Sequence, residues 1–276
     1  MMKDIFSTKT IKTIGYEANS LTVQFFHNLQ NLLPHMEWVP LSSEFHSMRR
    51  LKDEKELKLI KQAVEIADQS FHELLPRIQP GMTEKEVAVE LEYLIGKNGH
   101  DGPAFGTIVA SDIRAALPHA TPSSNVVKND HFLLIDFGVK YKGYMSDMTR
   151  TIWIGSPNQE LQQYDRIVHK ALEEAIAAIK PGRTGHEIDA VTRRVFQNEG
   201  IESYSLRGLG HGVGLAIHEH PRIVLNGEEV VEAGMVFTVE PGLYVPNKVG
   251  VRVEDIIHVT DRGCDILTKT PRHIHI

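Results

Sequence analysis

Five side chains in this sequence are of types that bind metal ions, and each lies in a short, distinctive motif. They are Asp136 in L-I-D-F-G, Asp147 in S-D-M-T-R-T, His211 in G-H-G-V-G, Glu240 in V-E-P-G-L-Y and Glu254 in V-R-V-E-D. Asp136 directly follows the apolar run 132–135, and Glu240 follows the largely apolar run 235–239. A lone acid is most often a surface or turn residue, but an acid in such a run needs a partner because an unpaired buried charge is costly.

The first two acids flank a stretch that predicts a β-hairpin. With a two-residue turn at Tyr141-Lys142, facing residues would have numbers that add up to 283, and Asp136 would lie directly opposite Asp147. Facing residues of an antiparallel pair hold their β-carbons about 4.5 to 5.5 Å apart, so two carboxylates there repel each other. A cation between them removes that repulsion, and the pair therefore predicts a metal site.

A second pair of acids repeats this arrangement. Glu240 and Glu254 flank a strand-loop-strand stretch centred on Asn247, and the tip at residues 246–248 (PNK) has the composition of a turn. His211 adds a neutral nitrogen ligand. Four carboxylates and one imidazole form an oxygen-rich set that can hold two divalent ions, and two-metal sites bind both a hydrolytic water and its target. Manganese, cobalt, iron and zinc all remain candidates.

Further residues are candidates for contact with a substrate or with the ligands. His119 lies in a proline-rich loop, and His218 follows the G-H-G-V-G histidine by seven residues. An imidazole beside a metal site can hold a scissile carbonyl or stabilise a tetrahedral intermediate, although a surface position suits either histidine equally well. Arg252 alternates onto the same strand face as Glu254, so it could orient a carboxylate ligand, neutralise a substrate terminus or form a plain structural ion pair. Tyr244 is either a hydrogen-bonding partner of the acids or an ordinary strand aromatic.

Other catalytic motifs are absent from the sequence. It contains no G-x-S-x-G nucleophile elbow and no G-x-x-x-x-G-K-[ST] phosphate loop. Glycines at 208, 210, 212 and 214 recur at every second residue. That spacing does not match the dinucleotide-binding motif. It instead predicts that another backbone segment lies close to the chain beside His211.

The elements that must position these residues are helices followed by strand-rich stretches. Apolar residues at helical spacing predict a helix from Asp53 to about Leu75. Thr83 and Glu86 form a capping-box pattern for a second helix that closes at Gly99. Residues 1–50 are patterned more weakly, with a strand-like segment at 10–16, an amphipathic segment at 21–33 and an extended segment at 38–41.

The opening of the second helix recurs later in the chain. Residues 78–83 (IQPGMT) correspond to residues 179–184 (IKPGRT) at an offset of 101. Each copy follows a long amphipathic helix, the second at about 159–179, and precedes a strand-rich stretch with one pair of acids. Chance agreement is the alternative, but the placement of the acids favours a duplicated α+β half, folded about a pseudo-twofold axis with the metals between the halves.

The bulk properties exclude several classes of protein. The chain has 276 residues, of which 41% are hydrophobic, a formal net charge of −6 and a sequence pI of about 6.2. This composition predicts a globular protein without the cationic face that nucleic-acid binding needs. No run of 18 apolar residues predicts a membrane span, and the first residues lack a secretory pattern. The single cysteine, Cys264, has no partner for an internal disulfide, and we expect a cytoplasmic location.

Together these motifs resemble the pita-bread metallopeptidases, and among them the Xaa-Pro peptidases, namely proline dipeptidase and aminopeptidase P. The resemblance covers about residues 50–270 and includes the five ligand motifs in order. Residues 105–111 (FGTIVAS), followed by Arg114 and by 117–119 (LPH), are similar to the region of the family that carries a substrate-binding histidine. The resemblance implies an α+β pita-bread (creatinase/aminopeptidase) fold, in which two pseudo-symmetric halves form a curved antiparallel sheet with flanking helices.

The resemblance also implies a function. Members of the branch cleave the bond between an N-terminal residue and proline, in dipeptides or short peptides, through a water or hydroxide that bridges two metal ions. Two divalent ions are expected, manganese or cobalt with zinc or iron as alternatives, and a homodimer is expected. His119 and His218 are expected to contact the substrate as catalytic residues, and Tyr244 and Arg252 to support the substrate or the ligands. The implied metal ligands are Asp136, Asp147, His211, Glu240, which is also the implied proton shuttle, and Glu254.

Three features depart from the family pattern. Relatives usually carry a larger domain before the catalytic part, so residues 1–50 are expected to be a remnant of that domain with its connector, and residues 51–276 the catalytic domain. Arg207 stands four residues before His211, where many relatives have histidine, and Ala216 replaces a common acidic residue. These departures bear on the substrate preference and not on the metal chemistry.

Two alternatives remain open on the sequence alone. A methionine aminopeptidase shares the fold, the length of the catalytic part and the H-E-x-P feature at 218–221, although residues 250–255 (GVRVED) and the loop 117–119 favour the proline-specific branch. A catalytically weak pita-bread protein that binds partners is the other alternative. Such proteins generally lose metal ligands, whereas all five are present here.

Overall fold

A computed structural model of the chain describes residues 11–41, 43–99 and 101–276, and its contacts divide the chain into two compact units, Met1–Arg49 and Arg50–Ile276. The helices are α1 (Val23–Leu32), α2 (Ser43–Arg50), α3 (Glu54–Leu74), α4 (Glu84–Asn98), α5 (Gln159–Ala178) and α6 (Gly185–Asn198). Short 3₁₀ turns lie at Leu75–Arg77, Asp112–Ala116 and Glu202–Tyr204.

The strands are β1 (Thr13–Glu17), β2 (Glu37–Leu41), β3 (Gly102–Pro103), β4 (Ile108–Ser111), β5 (His131–Phe137), β6 (Val139–Tyr141), β7 (Tyr144–Met145), β8 (Met148–Ile154), β9 (Gly210–Gly212), β10 (Glu219–Ile223), β11 (Val236–Val239), β12 (Gly242–Val245), β13 (Val249–Arg252), β14 (Asp255–Val259), β15 (Cys264–Ile266) and β16 (Ile274–His275). Within the described ranges, no helix has both the length and the apolar character that crossing a membrane requires.

The first unit is a small parallel β-α-β arrangement. Strand β1 pairs in parallel with β2, and α1 connects them, as a parallel pair requires a crossover. The rings of Tyr16, Phe26 and Trp38 pack together, with 4.4 Å between the centroids of the first two. The three segments predicted here are found, although Thr10 at the start of the predicted strand lies outside the described residues. Helix α2 was not predicted from the sequence.

The helices of the second unit begin and end where their capping residues predict. The Asp53 carboxylate accepts hydrogen bonds from the N–H groups of Lys55 and Glu56, both at 2.8 Å, and the Glu56 side chain accepts one from the Asp53 N–H at 2.9 Å. The same reciprocal pattern joins Thr83 and Glu86 at the start of α4. Helix α4 ends at Gly99, whose φ of +90° costs glycine little. Both predicted helices are confirmed.

The repeated segment folds in the same way in both places. The N–H of Gly81 donates to the carbonyl of residue 127 and that of Gly182 to the carbonyl of residue 231, each at 2.9 Å. These glycines have φ angles of +93° and +90°, and each is followed by a capping box, the second one between Thr184 and Glu187. The local hydrogen bonding therefore repeats along with the sequence, as expected for duplicated halves.

Two larger sheets carry the core of the second unit. One has the order β16-β8-β5-β4 and the other β10-β9-β11-β14-β15. Helices α3 and α4 pack on the first sheet through a buried cluster that includes Phe71, Leu91 and Ile135, while α5 packs against the second through Leu172 and Phe237. Full burial of each such side chain contributes about 1.5 to 3 kcal/mol, so each half of the second unit has a core of its own.

Strand β5 positions the first acid by simple alternation. Leu133, Ile135 and Phe137 belong to the cluster beneath α3 and α4, whereas Leu134 packs in a different cluster with the segment 108–120. Successive side chains of a strand point to opposite faces. Asp136 therefore points away from the helices.

The predicted register of the first hairpin is wrong by two residues. Strands β6 and β7, like β5 and β8, pair residues whose numbers add up to 285, so Asp136 faces Thr149 and not Asp147. The reason is the turn, which lies at Lys142-Gly143, with φ angles of +49° and +88°. Hairpin turns of this kind favour glycine at the second position, and this preference sets the register. A shift of two residues keeps the same strand face, so both acids still point to one side.

Candidate metal centre

The second hairpin has the register that the sequence predicts. Strands β12 and β13 pair Gly242 with Arg252 and Val245 with Val249, which centres the hairpin on residue 247. Asn247 has a φ of +57°, a conformation that asparagine tolerates in turns. Glu240 and Glu254 lie two residues beyond the paired ends, at the same distance from the centre. This part of the prediction is confirmed.

The structure brings the predicted ligands together from both halves. One ligand atom each of Asp147, His211 and Glu254 lie within 4.8 Å of one another. The His211 Nε2 atom is 3.6 Å from the Asp147 Oδ2 atom and 3.3 Å from the Glu240 Oε1 atom. Asp136 lies beside them, because its charge contributes to the raised pKa values of Asp147 and Glu254, and its Oδ2 atom accepts a hydrogen bond from Arg252.

The orientation of His211 is fixed by its own strand. Its Nδ1 atom lies 3.1 Å from the carbonyl oxygen of Gly212, so Nδ1 carries the proton and Nε2 points its lone pair at the acids. Burial lowers the pKa of His211 to about 4, which keeps the imidazole neutral at physiological pH. A neutral imidazole is the form that binds metal ions.

The glycines on either side of His211 leave no room for a side chain. A β-carbon on Gly210 would lie 1.9 Å from the carbonyl oxygen of Thr238, and one on Gly212 would lie 2.2 Å from that of His220. The predicted close backbone approach beside His211 is therefore confirmed.

The acids are buried in a way that calls for cations. The Oδ1 atom of Asp136 and the Oε1 atom of Glu254 are buried and have no hydrogen-bond partner among the described residues. Burial, together with repulsion from Glu254 and Asp136, raises the pKa of Asp147 well above its ordinary value. Burial and repulsion from Glu240 do the same to Glu254, and the pKa of Glu240 rises to about 7. Divalent cations offset the cost of burying several carboxylates in their charged form, so this set of donor atoms fits such ions.

Two threonines that sequence reasoning missed hold the glutamates. The Thr149 hydroxyl donates to the Glu254 Oε2 atom at 2.6 Å, and the Thr238 hydroxyl donates to the Glu240 Oε1 atom at 3.1 Å. Each threonine lies two residues from a predicted ligand, Thr149 after Asp147 and Thr238 before Glu240. A threonine at that spacing in a strand shares the face of the ligand, which is the signal that could have identified it.

A cavity of about 540 Å³ opens beside the cluster. Its walls combine the predicted ligands with apolar groups such as Phe105 and Ile217 and with three arginines, Arg207, Arg222 and Arg252. His119 and His218 both lie on this cavity and are largely exposed to it. The ring of His218 stands edge-on to that of His211, with 4.3 Å between the centroids. All nine predicted site residues therefore line one cavity.

Comparison with known proteins explains this arrangement. Residues 58–261 match the model of metallopeptidase family M24, and residues 2–51 match the creatinase/prolidase N-terminal domain. The chain belongs to metallopeptidase family M24.

Several M24 relatives cover nearly the whole chain. A Xaa-Pro dipeptidase of Pyrococcus horikoshii is 41% identical over 264 residues, which are 96% of this chain and 75% of the relative. The structure of a Xaa-Pro dipeptidase from Bacillus anthracis superposes with a TM-score of 0.97 at 39% identity, covering 100% of this chain and 78% of that one. An X-Pro aminopeptidase from Thermotoga maritima gives a TM-score of 0.95 at 38% identity, with the same coverage of both chains. The predicted pita-bread fold and the predicted metallo-exopeptidase class are confirmed.

In this M24 peptidase, Arg252 connects the ligands to the cavity wall. Its guanidinium donates to the Asp136 Oδ2 atom, to the Thr149 hydroxyl at 3.0 Å, to the Pro118 carbonyl at 3.2 Å and to the Tyr244 hydroxyl at 2.6 Å. Burial alone would lower the pKa of Arg252, but Tyr244 and the surrounding acids raise it well above its ordinary value. The contact with Asp136 orients that carboxylate, which is one of the roles open to Arg252. Among the described residues, the Tyr244 hydroxyl accepts its hydrogen bond from Arg252 and so is connected to Asp136 through this arginine.

The two departures from the family pattern lie at different depths. Arg207 is exposed and lines the cavity, so its positive charge faces any molecule that binds there. Ala216 is partly buried, and its N–H donates to the Glu219 Oε2 atom at 3.3 Å. Glu219 itself forms a buried ion pair with Lys52. An acidic side chain at position 216 would therefore lie beside the Glu219 carboxylate, whose charge is already paired with that of Lys52.

Proposed function

We propose that this chain is a metal-dependent exopeptidase that cleaves the bond between an N-terminal residue and proline in dipeptides or short peptides. The observation that carries the proposal is the meeting of acids and imidazole from both halves at one cavity, in a chain 41% identical to a Xaa-Pro dipeptidase. The orphaned oxygens of Asp136 and Glu254 support it further, because a plain structural cluster would leave them uncompensated.

Five residues would hold two divalent cations in this proposal: Asp136, Asp147, His211, Glu240 and Glu254. The preponderance of carboxylate oxygens favours manganese or cobalt, with zinc and iron as alternatives. When bound, the ions supply Lewis-acid activation of a water nucleophile and of the scissile carbonyl.

Glu240 is the carboxylate best placed to move a proton. The side chain of Glu240 is 27% exposed. Glu254, taken as a whole residue, is only 1% exposed. The Glu240 Oε1 atom accepts the Thr238 hydrogen bond, and the residue lines the cavity. A positioned carboxylate at the cavity surface can accept a proton from the attacking water and return it to the leaving proline nitrogen.

His119 and His218 are placed to bind the peptide backbone. Both project from loops onto the same cavity, and the Pro118 carbonyl beside His119 is held by Arg252. Burial, with the charges of Arg222 and His119, lowers the pKa of His218. A neutral imidazole can donate one hydrogen bond to the scissile carbonyl, and the developing oxyanion strengthens that bond.

The substrate experiment compares dipeptides with proline second against peptides of the Met-Ala type, in buffer with added manganese or cobalt. The proposal expects release of the N-terminal residue from the former. Cleavage of the Met-Ala peptides alone would favour a methionine aminopeptidase, and no cleavage by folded, metal-loaded protein would favour a binding function. Asp147→Asn should abolish most activity, whereas Asp261→Asn, at an exposed position outside the cavity, should not.

A homodimer and a cytoplasmic location stay predictions. Light scattering coupled to size-exclusion chromatography tests the first by giving the mass in solution relative to the chain mass of 31.1 kDa. Fractionation of cells tests the second.

A further inference from the structure

A second group of metal-binding side chains lies outside the catalytic cavity. Asp165, His169 and His273 each offer one ligand atom, and these atoms all lie within 4.8 Å of one another. None of the three lines the cavity described above. Asp165 and His169 are almost fully buried, with 1% and 3% exposure, and both belong to the second unit of the chain.

The fold brings the three residues together from distant parts of the sequence. Asp165 and His169 are four residues apart on α5, so their side chains share one face of the helix. Strand β16 pairs in parallel with β8, opposite Ile152 and Trp153, and this pairing holds the preceding residue, His273, against α5. The rings of His169 and His273 stack with 3.7 Å between their centroids.

The buried polar atoms of this group lack partners. Both ring nitrogens of His169 and the Oδ1 atom of Asp165 are buried without a hydrogen-bond partner among the described residues. The His169 Nε2 atom lies 3.4 Å from the Asp165 Oδ1 atom without hydrogen-bond geometry. Buried polar groups are almost always satisfied, and one bound ion would satisfy the Asp165 Oδ1 atom together with one ring nitrogen of His169.

The distances suit a small cation better than a hydrogen-bonded pair. Nitrogen and oxygen ligands about 2.0 to 2.1 Å from a tetrahedral ion are separated from each other by ~3.3 Å. The Asp165–His169 distance of 3.4 Å is close to that value, and the His273 Nδ1 atom is 3.8 Å from the Asp165 Oδ2 atom. Because 65% of the His273 side chain is exposed, its ring can turn toward the other two ligands.

We propose that Asp165, His169 and His273 form a second divalent-metal site, suited to zinc, that fastens the C-terminal strand β16 to helix α5. Two imidazoles and one carboxylate are a ligand set that borderline ions such as zinc prefer. The exposed side of His273 leaves a fourth position for water. The site is independent of the catalytic ions, and it links a helix of the second half to a strand of the first sheet.

Zinc stoichiometry tests the proposal directly. Chelator-treated full-length protein is dialysed against buffered zinc, and bound zinc per chain is measured for the parent, for His273→Ala and for His72→Ala, which replaces another exposed histidine. The expected result is one zinc fewer per chain in His273→Ala and no loss in His72→Ala. Equal zinc content in the parent and His273→Ala would overturn the proposal. The difference does not depend on how many ions the catalytic centre holds.

A second measurement locates the effect. The N–H of Ile276 donates to the Trp153 carbonyl at 2.9 Å, so its hydrogen exchange reports on the attachment of β16. Zinc should slow this exchange several-fold in the parent and leave it unchanged in His273→Ala. Manganese-supported peptidase activity should be the same in both proteins. An identical response to zinc in both would contradict a site at His273.

Discussion

Arg252, at the end of β13, donates a hydrogen bond from Nη2 to the Oδ2 atom of Asp136 in β5, and so joins a strand of one half of the catalytic unit to a strand of the other. Both side chains are buried. The same guanidinium contacts Thr149, Tyr244 and Pro118. These four hydrogen bonds use the rigid fork of the guanidinium, and an ammonium group with three donors cannot reproduce them.

Arg252→Lys should therefore keep the charge but lose the positioning. We expect turnover to fall by roughly 100-fold because misplacement of about 1 Å in a catalytic group costs that much. Steady-state kinetics on a Xaa-Pro dipeptide measures the change, and Arg262→Lys, at an exposed position, is the control. Full activity in Arg252→Lys would show that a single charge near Asp136 is sufficient.

Asp147→Asn should separate metal binding from folding. In metal-free protein the substitution removes one of several mutually repelling acids, so the free energy of unfolding at pH 7.5 should rise by roughly 1 kcal/mol or more. Metal occupancy and turnover should fall. Denaturant unfolding of metal-free protein and metal analysis of loaded protein measure the two effects, and a less stable metal-free variant would contradict the repulsion.

The metal-free protein should lose stability as the pH rises through the acid range. The folded pKa values of Asp147 and Glu254 are raised well above their ordinary values, and that of Glu240 is about 7, so between about pH 4 and pH 7 the folded state holds more protons than the unfolded one. Stability from these groups is present at low pH and is lost as they ionise. Histidines with lowered pKa values act in the opposite sense below pH 6.5, so the contribution of the acids is isolated by comparing metal-loaded with metal-free protein. These histidines are His131, His211, His218, His258 and His273.

The measurement is the difference in melting temperature between metal-loaded and metal-free protein. This difference should grow steadily from pH 5 to pH 7.5, because cations replace protons on the acids. A difference that is constant over this range would mean that the acids do not carry raised pKa values.

Thr149→Val should weaken metal binding without unfolding the protein. The valine keeps the shape of the side chain, but the Glu254 Oε2 atom loses its donor. Loss of such a supporting hydrogen bond typically lowers metal affinity by about 10- to 100-fold. Thr149→Ser, which retains the hydroxyl, should restore most of the affinity, and failure of serine to do so would assign the effect to packing.

His218→Ala should spare the metals and lower turnover. His218 lies on the cavity beside His211, and we expect it to act on the reacting carbonyl, with an effect of roughly 100-fold on kcat. Metal content should match that of the parent. His72→Ala serves as the matched control, and a loss of bound metal in His218→Ala would instead make this histidine part of the ligand set.

Much of the architecture follows from local chemistry that the sequence displays. The caps at Asp53, Thr83 and Thr184 fix where helices begin, because the orphan N–H groups of a first turn need such side chains. The turn around Asn247 gives the correct register for the second hairpin. These features depend on residues close together in the chain, which is why they could be predicted.

The features that could not be predicted depend on distant residues. The register of the first hairpin is not one of them, because Gly143 in the sequence favours the turn at residues 142–143 over one at 141–142. The contacts of Thr149 with Glu254 and of Arg252 with Asp136 each cross more than a hundred residues. Their residue types gave no reason to prefer these partners before the two sheets were placed side by side.

The alternation of side chains along β5 links folding to catalysis, because the number of residues in this strand decides which side chains face the helices and which face the cavity. Ile135 packs beneath the helices, and Asp136, its neighbour, lines the cavity with the other acids. A single residue inserted between His131 and Ile135 would exchange these roles, sending a carboxylate into hydrocarbon and an isoleucine toward the metals. Loops around the cavity can vary in length as this enzyme adapts to new peptides, but this strand can tolerate no such change.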